Sequence, residues 1–334
     1  ELLLVVHGPE AVEGEVQIMG TLDVEWGEGA DSYQVISPGE TKTLTLTHEY
    51  MQTGDYDIVI TGTNVTIELG HGGSGNGLVG QSTSANAAIP ISVRSIAIGT
   101  GVTAIASYGL AHLRGLRSIY IPDGVTLDDY AMRMCYSLAA VRLPDDLTEI
   151  PIGCFRDCTS LRAISLPDSV TVIGNYAFYG CSSLQSITIP AGVVDIGSSA
   201  FYGCAALQSF TFPGGVTELP SSCFRGCTSL QSLALSPNTT IIRGYALYGT
   251  SAMESLEVPA AVASMADYAV YSAYGMRWMR MLPTTPPSTS QYTFSSIPPG
   301  LKFIVPNGSG EAYRTATRWK TYAARIFEES EVNW

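Results

Sequence analysis

The stretch VTVIGNYAFYGCSSLQSITIP, residues 170–190, decides the fold, because its frame returns along most of the chain. The apolar positions of this stretch recur in phase over residues 193–213. A proline follows an apolar strand at intervals of 22 to 24 residues, at Pro122, Pro144, Pro167, Pro190, Pro213, Pro237, Pro259, Pro283 and Pro306. Self-similarity at a fixed period of about 20 to 50 residues is typical of a solenoid.

Each repeat carries one short strand. Residues 184–189 (LQSITI) alternate apolar and polar side chains, as a strand with one buried face does. Pro190 ends this strand because proline has no N–H to donate to a neighbour. A single coil cannot bury its own apolar residues, so coils must stack. We therefore predict a mainly β solenoid, a leucine-rich repeat array of about ten coils of 22–24 residues.

The repeats also resemble a known family. IGNYAFYGCSSLQSITIP and IGSSAFYGCAALQSFTFP resemble the repeat of the BspA-type leucine-rich repeat proteins, which are mostly bacterial cell-surface proteins. The resemblance spans residues 92–306 and implies adhesion or recognition without enzymatic activity. In the repeat ending at Pro283, Arg277 and Arg280 occupy the positions of Leu and Ile, which leaves the register of that strand open.

The N-terminal stretch follows a different pattern. VEWGEG (24–29) and THEYMQTGDYDIVITG (47–62) are similar to the paired motifs of PKD-type β-sandwich domains. Alternation at Leu44 and Leu46, and again from Tyr56 to Ile60, indicates strands, with Thr53–Gly54 as a turn. The resemblance therefore implies a small β-sandwich before the repeats.

Three segments are predicted. Residues 1–63 form the PKD-like sandwich, and residues 64–306 form the repeat solenoid, with an irregular first repeat and a Gly-rich loop at 70–80. Residues 307–334 resemble the C-terminal end of the BspA-type family, where a helix covers the open end of the stack. We predict that helix over Glu311–Ile326, because an uncovered last coil exposes core and invites edge pairing.

Charge and hydropathy exclude several functions. The net charge of −13 argues against nucleic acid as a partner, because phosphate binding needs clustered Lys and Arg. No apolar run approaches the roughly 18 residues that cross a bilayer. Leu2–Val6 is too short for a signal peptide and is interpreted as a strand. We expect a monomer, extracellular or on the cell surface, with any export signal or anchor outside these 334 residues.

The seven cysteines follow the repeat. Five share one repeat position, at Cys135, Cys158, Cys181, Cys204 and Cys227, and Cys154 and Cys223 precede the phenylalanines of their coils. We interpret them as buried thiols, since free Cys packs as a small hydrophobe. One or two disulfides, or a metal site, are the alternatives. Paired CxxC elements, which zinc clusters need, are absent from the sequence.

Catalytic motifs are also absent from the sequence. The four histidines are scattered, and His71 in the Gly-rich loop is the one considered as a ligand. The paired carboxylates Asp128–Asp129 and Asp145–Asp146 fall in predicted turns, where Asp bonds to backbone. We therefore predict no enzyme activity, no catalytic residue, no metal and no cofactor.

Two outward surfaces remain as candidate binding sites. One is a row just after the Ala-Phe pair, consisting of Tyr179, Tyr202, Tyr248 and Tyr271 with Arg156 and Arg225 at the same position. Tyrosine and arginine anchor interfaces and stack on sugars, but local packing over the turns is the alternative. The other is the strand face, consisting of Gln185, Thr188, Gln208, Thr211 and Gln231. Its amides and hydroxyls could meet sugar hydroxyls, or could simply form an exposed sheet.

The predicted function is recognition at the cell surface, with an extracellular protein or a glycan bound through the repeat surface. The alternative is a structural spacer that presents the N-terminal domain away from the cell envelope. The sequence itself indicates a repetitive scaffold suited to binding. Adhesion is what the family resemblance implies.

Overall fold

A computed structural model describes residues 2–7, 12–26, 32–48, 55–62, 65–67, 95–98 and 102–332, with side chains at 98 and 102–332. The chain divides into two compact units, Glu1–Ser169 and Val170–Trp334. Short β-strands dominate both units and helices are few, which confirms the predicted β-solenoid of about ten coils.

The first unit begins with five strands. They are β1 (Leu2–His7), β2 (Val12–Trp26), β3 (Ser32–His48), β4 (Asp55–Gly62) and β5 (Val65–Ile67). β2 lies between β3 and β4 and pairs antiparallel with both, and β1 pairs antiparallel with β4. Both strands predicted from alternation are therefore present, but each pairs with β2 and not directly with the other. The Thr53–Gly54 turn and part of each PKD-type motif lie outside the described residues, so the sandwich stays a prediction.

The repeats of the first unit supply two short strands per coil. They are β6 (Ser95–Ala97), β7 (Val102–Ile105), β8 (Ser118–Tyr120), β9 (Thr126–Leu127), β10 (Ala140–Arg142), β11 (Glu149–Ile150) and β12 (Ala163–Ser165). The strands β6, β8 and β10 form one parallel ladder, and β5, β7 and β9 form another. β6 also pairs antiparallel with β1. The Gly-rich loop at 70–80 lies outside the described residues.

The second unit repeats this arrangement. Its strands are β13 (Val172–Ile173), β14 (Ser186–Thr188), β15 (Asp195–Ile196), β16 (Ser209–Thr211), β17 (Glu218–Leu219), β18 (Ser232–Ala234), β19 (Ile241–Ile242), β20 (Ser255–Val258), β21 (Ser264–Met265), β22 (Trp278–Met281), β23 (Ser288–Thr289), β24 (Lys302–Val305) and β25 (Ile326–Glu328). One parallel ladder runs β17–β19–β21–β23, and another runs β20–β22–β24–β25. The register follows the sequence period, since Phe210 pairs with Leu233.

Between the two strands of a coil, the chain turns through residues in the left-handed region. At the first such position, Tyr176, Ser199, Ser222, Tyr245 and Tyr268 have φ between 55° and 59°. At the second, Gly203 and its equivalents in neighbouring coils have φ of 71° to 76°. Glycine adopts this conformation without the steric penalty that a Cβ introduces. The turns therefore hold the three residues between these two positions, such as residues 177–179, in equivalent places in these coils.

The core of the second unit is built by stacking identical residues. The rings of Phe178, Phe201 and Phe224 are all buried and stack with centroid separations of 5.4 and 5.7 Å. All seven cysteines are free and buried, which confirms the interpretation as buried thiols. The Cys204 thiol donates to the Phe178 carbonyl oxygen at 3.2 Å, so a cysteine also satisfies a backbone acceptor of the preceding coil. In the first unit, burial raises the pKa of the Cys135 thiol to about 12.

The strand before Pro283 is shifted by one residue from the frame that the sequence suggested. Met276, Met279 and Met281 are buried, while Arg277 is exposed and Arg280 half-buried. Leu282 is the extra residue before the proline, and the interval of 24 residues from Pro259 accommodates it. The two arginines therefore point outward, and the open register is settled.

The C-terminal cap is confirmed as helical in part, but the predicted continuous helix over Glu311–Ile326 is wrong. The α-helix α1 (Gly310–Thr315) ends early, and Arg318 has φ of +73° before a 3-10 helix at Trp319–Arg325. β25 then pairs parallel with β24, and a 3-10 turn follows at Glu329–Glu331.

The break in the helix has a packing reason. Six residues of α-helix rotate by about 600°, so an unbroken helix would point Tyr313 and Trp319 to different sides. With the break, both rings are buried and their centroids lie 5.0 Å apart. Trp319 also packs edge-on against Phe294 and Phe303, and its Nε1–H donates to the Pro287 carbonyl oxygen at 2.8 Å. The cap thus covers the last coil with two aromatic anchors.

Candidate functional site

The second unit carries a stack of tyrosine and arginine side chains, which we call the tyrosine–arginine column. Its members follow the inward phenylalanine, leucine or valine of successive coils: Tyr179, Tyr202, Arg225, Tyr248 and Tyr271. All five side chains are half-buried. The turn geometry fixes them, because each lies between the two left-handed residues of its coil.

The members of this column contact one another directly. The rings of Tyr179 and Tyr202 are stacked with centroids 4.5 Å apart, and those of Tyr248 and Tyr271 are stacked at 5.0 Å. The Arg225 guanidinium carbon lies 5.5 Å from the Tyr202 centroid and 4.5 Å from that of Tyr248. Arg225 therefore continues the stack between two tyrosine pairs through cation–π contacts.

Stacking limits what the column can offer to a ligand. Tyr202 has Tyr179 on one side and Arg225 on the other, so neighbours meet both faces of its ring. A ligand would therefore meet ring edges and phenolic hydroxyls rather than ring faces. The hydroxyls of Tyr202, Tyr248 and Tyr271 make no hydrogen bond to protein within the described residues. They are available as donors and acceptors.

Arg156 occupies the equivalent position in the first unit. It is half-buried, and its Nε lies 3.4 Å from the Asp157 carboxylate. Arg133 precedes it by one coil, with its guanidinium carbon 5.9 Å from the Tyr130 centroid. Arginine thus occupies this position in two successive coils of the first unit, and Tyr130 lies at the left-handed position three residues before Arg133.

A second column of tyrosines, absent from the prediction, lies beside the first. It lies two residues before the inward apolar residue of each coil, a position in the left-handed region at Tyr245 and Tyr268, and we call it the outer tyrosine column. Tyr245 stacks on Tyr268 at 5.0 Å, and Tyr268 stacks on Tyr292 at 5.2 Å. The signal was present in the sequence, because these tyrosines recur with the same period, but glycine or asparagine was the expected residue at such a turn.

The predicted strand face has a different character. The side chains of Gln185, Thr188, Gln208, Thr211 and Gln231 are exposed. They make no side-chain hydrogen bond to other described residues. Their backbones are linked, since the Gln231 N–H donates to the Gln208 carbonyl oxygen at 2.8 Å. The face ends at Arg280, which pairs with Glu257 and Glu329, each at 2.9 Å.

Each unit has a groove, beside β9 in the first unit and beside β15 and β17 in the second. In the first unit a groove of about 500 Å³ is lined by Asp128, Asp129, Asp146 and Glu149 among others. Asp146 accepts the Gly124 N–H at 3.0 Å, and Asp129 accepts the Ile152 N–H at 3.0 Å. These carboxylates lie in turns, as predicted, but the N–H groups that they accept belong to neighbouring coils, so they link coils instead of bonding the backbone of their own turns.

The groove of the second unit has a volume of about 610 Å³. Its lining combines hydroxyl, amide and carboxylate groups, including Asn175, Asp195, Ser198 and Ser221. Across it, Arg243 forms a two-bonded ion pair with Glu218, at 2.8 and 2.9 Å, and this pair raises the pKa of Arg243. The groove is polar and open to hydrogen-bonding ligands.

The described residues contain neither a metal-binding cluster nor a membrane-spanning helix. Across the described part of the chain, no group of three or more His, Cys, Asp or Glu side chains is arranged to hold a metal ion. His71 lies outside that part. None of the helices in the described ranges has the length and hydropathy needed to cross a membrane.

Comparison with known proteins identifies the repeats. The family described as BspA type leucine rich repeat region matches residues 86–170 and 150–277, with six copies. Together these ranges cover more than half of the chain. Among curated proteins, none matches the chain.

Solved leucine-rich repeat structures are similar to the chain. The T. pallidum leucine-rich repeat protein TpLRR is 32% identical, with a TM-score of 0.40, over 42% of this chain and 68% of that one. A leucine-rich repeat protein from Bacteroides ovatus is 20% identical, with a TM-score of 0.35, over 72% and 77%. A leucine-rich cell surface protein from Faecalibacterium prausnitzii is 22% identical, with a TM-score of 0.36, over 68% and 82%.

Proposed function

The chain belongs to the BspA-type leucine-rich repeat family, and we propose that it is a non-enzymatic recognition protein of the cell surface. Proteins with this repeat are generally surface or protein-interaction scaffolds. In this proposal the chain binds an extracellular protein or glycan through its repeat surface, as a monomer.

The tyrosine–arginine column is the observation that supports this proposal most. A column of half-buried rings offers a rigid area with little side-chain entropy left to lose on binding. Its members Tyr202 and Tyr248 present hydroxyls without protein partners on either side of Arg225. Repetition at about 5 Å per coil suits an extended polymer or a flat protein face.

The strand face is the second surface within the proposed function. Its exposed Gln208 and Gln231 side chains have no hydrogen-bond partner among the described residues, and the neighbouring threonines resemble them in this. Amide and hydroxyl groups in a ladder match sugar hydroxyls. We place it below the column because nothing holds these side chains in a fixed geometry before binding.

An array of extracellular matrix proteins and glycans, probed with the full chain, tests the proposal. We expect selective binding to a small set of spots. A variant with Lys320 changed to Gln serves as a folded control, because Lys320 is exposed and lies outside the column, the strand face and both grooves. Absence of binding to every spot would reject recognition and leave the role of a structural spacer for the N-terminal domain.

A further inference from the structure

The outer tyrosine column is interrupted in the middle of the second unit. Tyr176 and Tyr245 are both 37% exposed, and the two coils between them carry Ser199 and Ser222 at the same position. Two coils correspond to about 10 Å along the stack. The small side chains leave a gap, which we call the serine notch.

Arg225 lies beside this notch. Its guanidinium carbon is 5.4 Å from the Tyr245 centroid, in addition to its contacts with Tyr202 and Tyr248. It is thus held among three tyrosine rings. One of them, Tyr245, is the outer-column ring one coil after Ser222, so this contact places the guanidinium at the edge of the notch. The ring contacts fix the guanidinium before any ligand arrives.

The charge of Arg225 is not neutralised within the described protein. Four other arginines of this unit each contact a carboxylate: Arg243, Arg277, Arg280 and Arg314. Arg225 has neither an ion pair nor a side-chain hydrogen bond among the described residues. None of its guanidinium nitrogens is both buried and without a hydrogen-bond partner, so the nitrogens remain accessible to solvent. In a chain with 30 acidic and 17 basic residues, such a guanidinium is a site for an external anion.

The surroundings favour one anionic group among many hydroxyls. Ser198 and Ser221, which precede the notch serines in the chain, line the 610 Å³ groove together with Asn175. Asp195 lines the same groove, and Arg243 there is already paired with Glu218, so the groove offers no free cation to a ligand with several negative charges. Sugar hydroxyls, by contrast, can donate to the Asp195 carboxylate. A highly charged polymer or an acidic peptide fits this distribution less well than a sugar with a single carboxylate.

We propose that Arg225 and the serine notch bind the carboxylate of an acidic sugar at the end of a glycan. The guanidinium pairs with the carboxylate through two N–H groups, and the serine and asparagine side chains bond the sugar hydroxyls. This inference rests on the proposed recognition function and assigns it a ligand class and a site.

Two variants remove the site while respecting the repeat. Arg225→Tyr places the residue of the neighbouring coils in the column, and Ser222→Tyr fills the notch with the residue found in the next coil. Both are expected to fold, since tyrosine already occupies each position elsewhere in this unit. Arg277→Gln removes an arginine that pairs with Glu254 and is the control for loss of charge.

Calorimetric titration of the full chain with sialyllactose, a glucuronic-acid-terminated disaccharide and neutral lactose tests the site. We expect at least one acidic sugar to bind about tenfold or more tightly than lactose, because lactose lacks the carboxylate that makes the charge-assisted contact. Arg225→Tyr and Ser222→Tyr should abolish that preference, and Arg277→Gln should retain it. Unchanged melting temperatures would show that the losses are local.

Several results would overturn the site. They are equal binding of lactose, an Arg225→Tyr variant that keeps the preference, tighter binding of a hexaglutamate peptide, or no binding of either acidic sugar. If the chain still selects neutral glycans or proteins on the array, recognition stands and this site falls. If it binds nothing on the array, the recognition function falls as well.

Discussion

The tyrosine–arginine column and the strand face of the second unit repeat with the same period. The side chains of the column contact their equivalents in neighbouring coils, and the side chains of the strand face do not. In the column, Tyr202 is stacked against Tyr179 at 4.5 Å and against the Arg225 guanidinium at 5.5 Å. On the strand face, Gln208 and Gln231 are linked by their backbones alone. We therefore expect the column to contribute to the stability of the coils, and the side chains of the strand face to contribute little.

This difference teaches how a solenoid can prepare a binding surface. A side chain that stacks on its equivalents in the coils above and below is ordered before a ligand arrives, so binding costs less entropy. A side chain on the strand face keeps its rotamers and loses them on binding. The column should therefore respond to mutation in both stability and binding, and the strand face in binding alone.

Both surfaces require a stable solenoid, which in turn requires a covered C-terminal end. Removing residues 307–334 should therefore have the largest effect on the protein's solubility and stability. The truncation removes Tyr313 and Trp319 from the last coil and exposes the edge of β24 that β25 covers. An open parallel edge beside exposed core invites association with other chains. We expect aggregation, measured by size-exclusion chromatography. Lys320→Ala, an exposed change within the same segment, should leave a monomer. A soluble truncated monomer with unchanged melting would contradict the cap.

A second test changes the core behind both surfaces. Phe201→Ala leaves a cavity between the stacked rings of Phe178 and Phe224, and we expect a loss of about 3–5 kcal/mol in the free energy of unfolding. The loss should extend to adjacent coils, because stacked repeats stabilise one another.

Urea denaturation measures this loss, and Val194→Ala, at a side chain that is 58% exposed, is the control. A Phe201→Ala protein as stable as the control would mean that the phase of the coils is wrong.

A smaller and sharper test compares the two surfaces directly. Tyr202→Ala removes two stacking contacts, and we expect a loss of about 1–2 kcal/mol. Gln208→Ala removes an exposed side chain and should change stability by less than about 0.5 kcal/mol. Equal effects of the two changes in parallel denaturation experiments would remove the distinction between the surfaces.

The sequence period predicted most of the fold for a physical reason. Because the repeat is about 23 residues long, residues 23 apart in the sequence lie in adjacent coils, as the stacked rings of Phe178 and Phe201 do. The same argument placed the cysteines inside. It also found the members of the column, but not that their rings would cover one another's faces.

The departures from the sequence prediction occur where the repetition ends. Before Pro283 one extra residue shifts the repeat pattern. Counting back from the proline placed Arg277 inward, whereas in the structure Met276 is buried and Arg277 is exposed. In the cap, the family resemblance led to the prediction of a continuous helix, but tertiary packing of Tyr313 and Trp319 required a break. The outer tyrosine column was missed because its left-handed turn position usually selects glycine or asparagine.

The most direct test of the account is whether the hydroxyl edge of the column binds the ligand. Tyr202, Tyr248 and Tyr271 are changed together to Phe, which keeps the stacked rings and removes only the hydroxyls. Gln185, Gln208 and Gln231 are changed together to Ala in a second protein. Surface plasmon resonance with the strongest array ligand then compares both proteins with the unmodified chain. We predict unchanged melting in both, binding weakened about tenfold or more in the tyrosine set, and near-normal binding in the glutamine set. Loss of binding in the glutamine set alone would contradict the account and move recognition to the strand face.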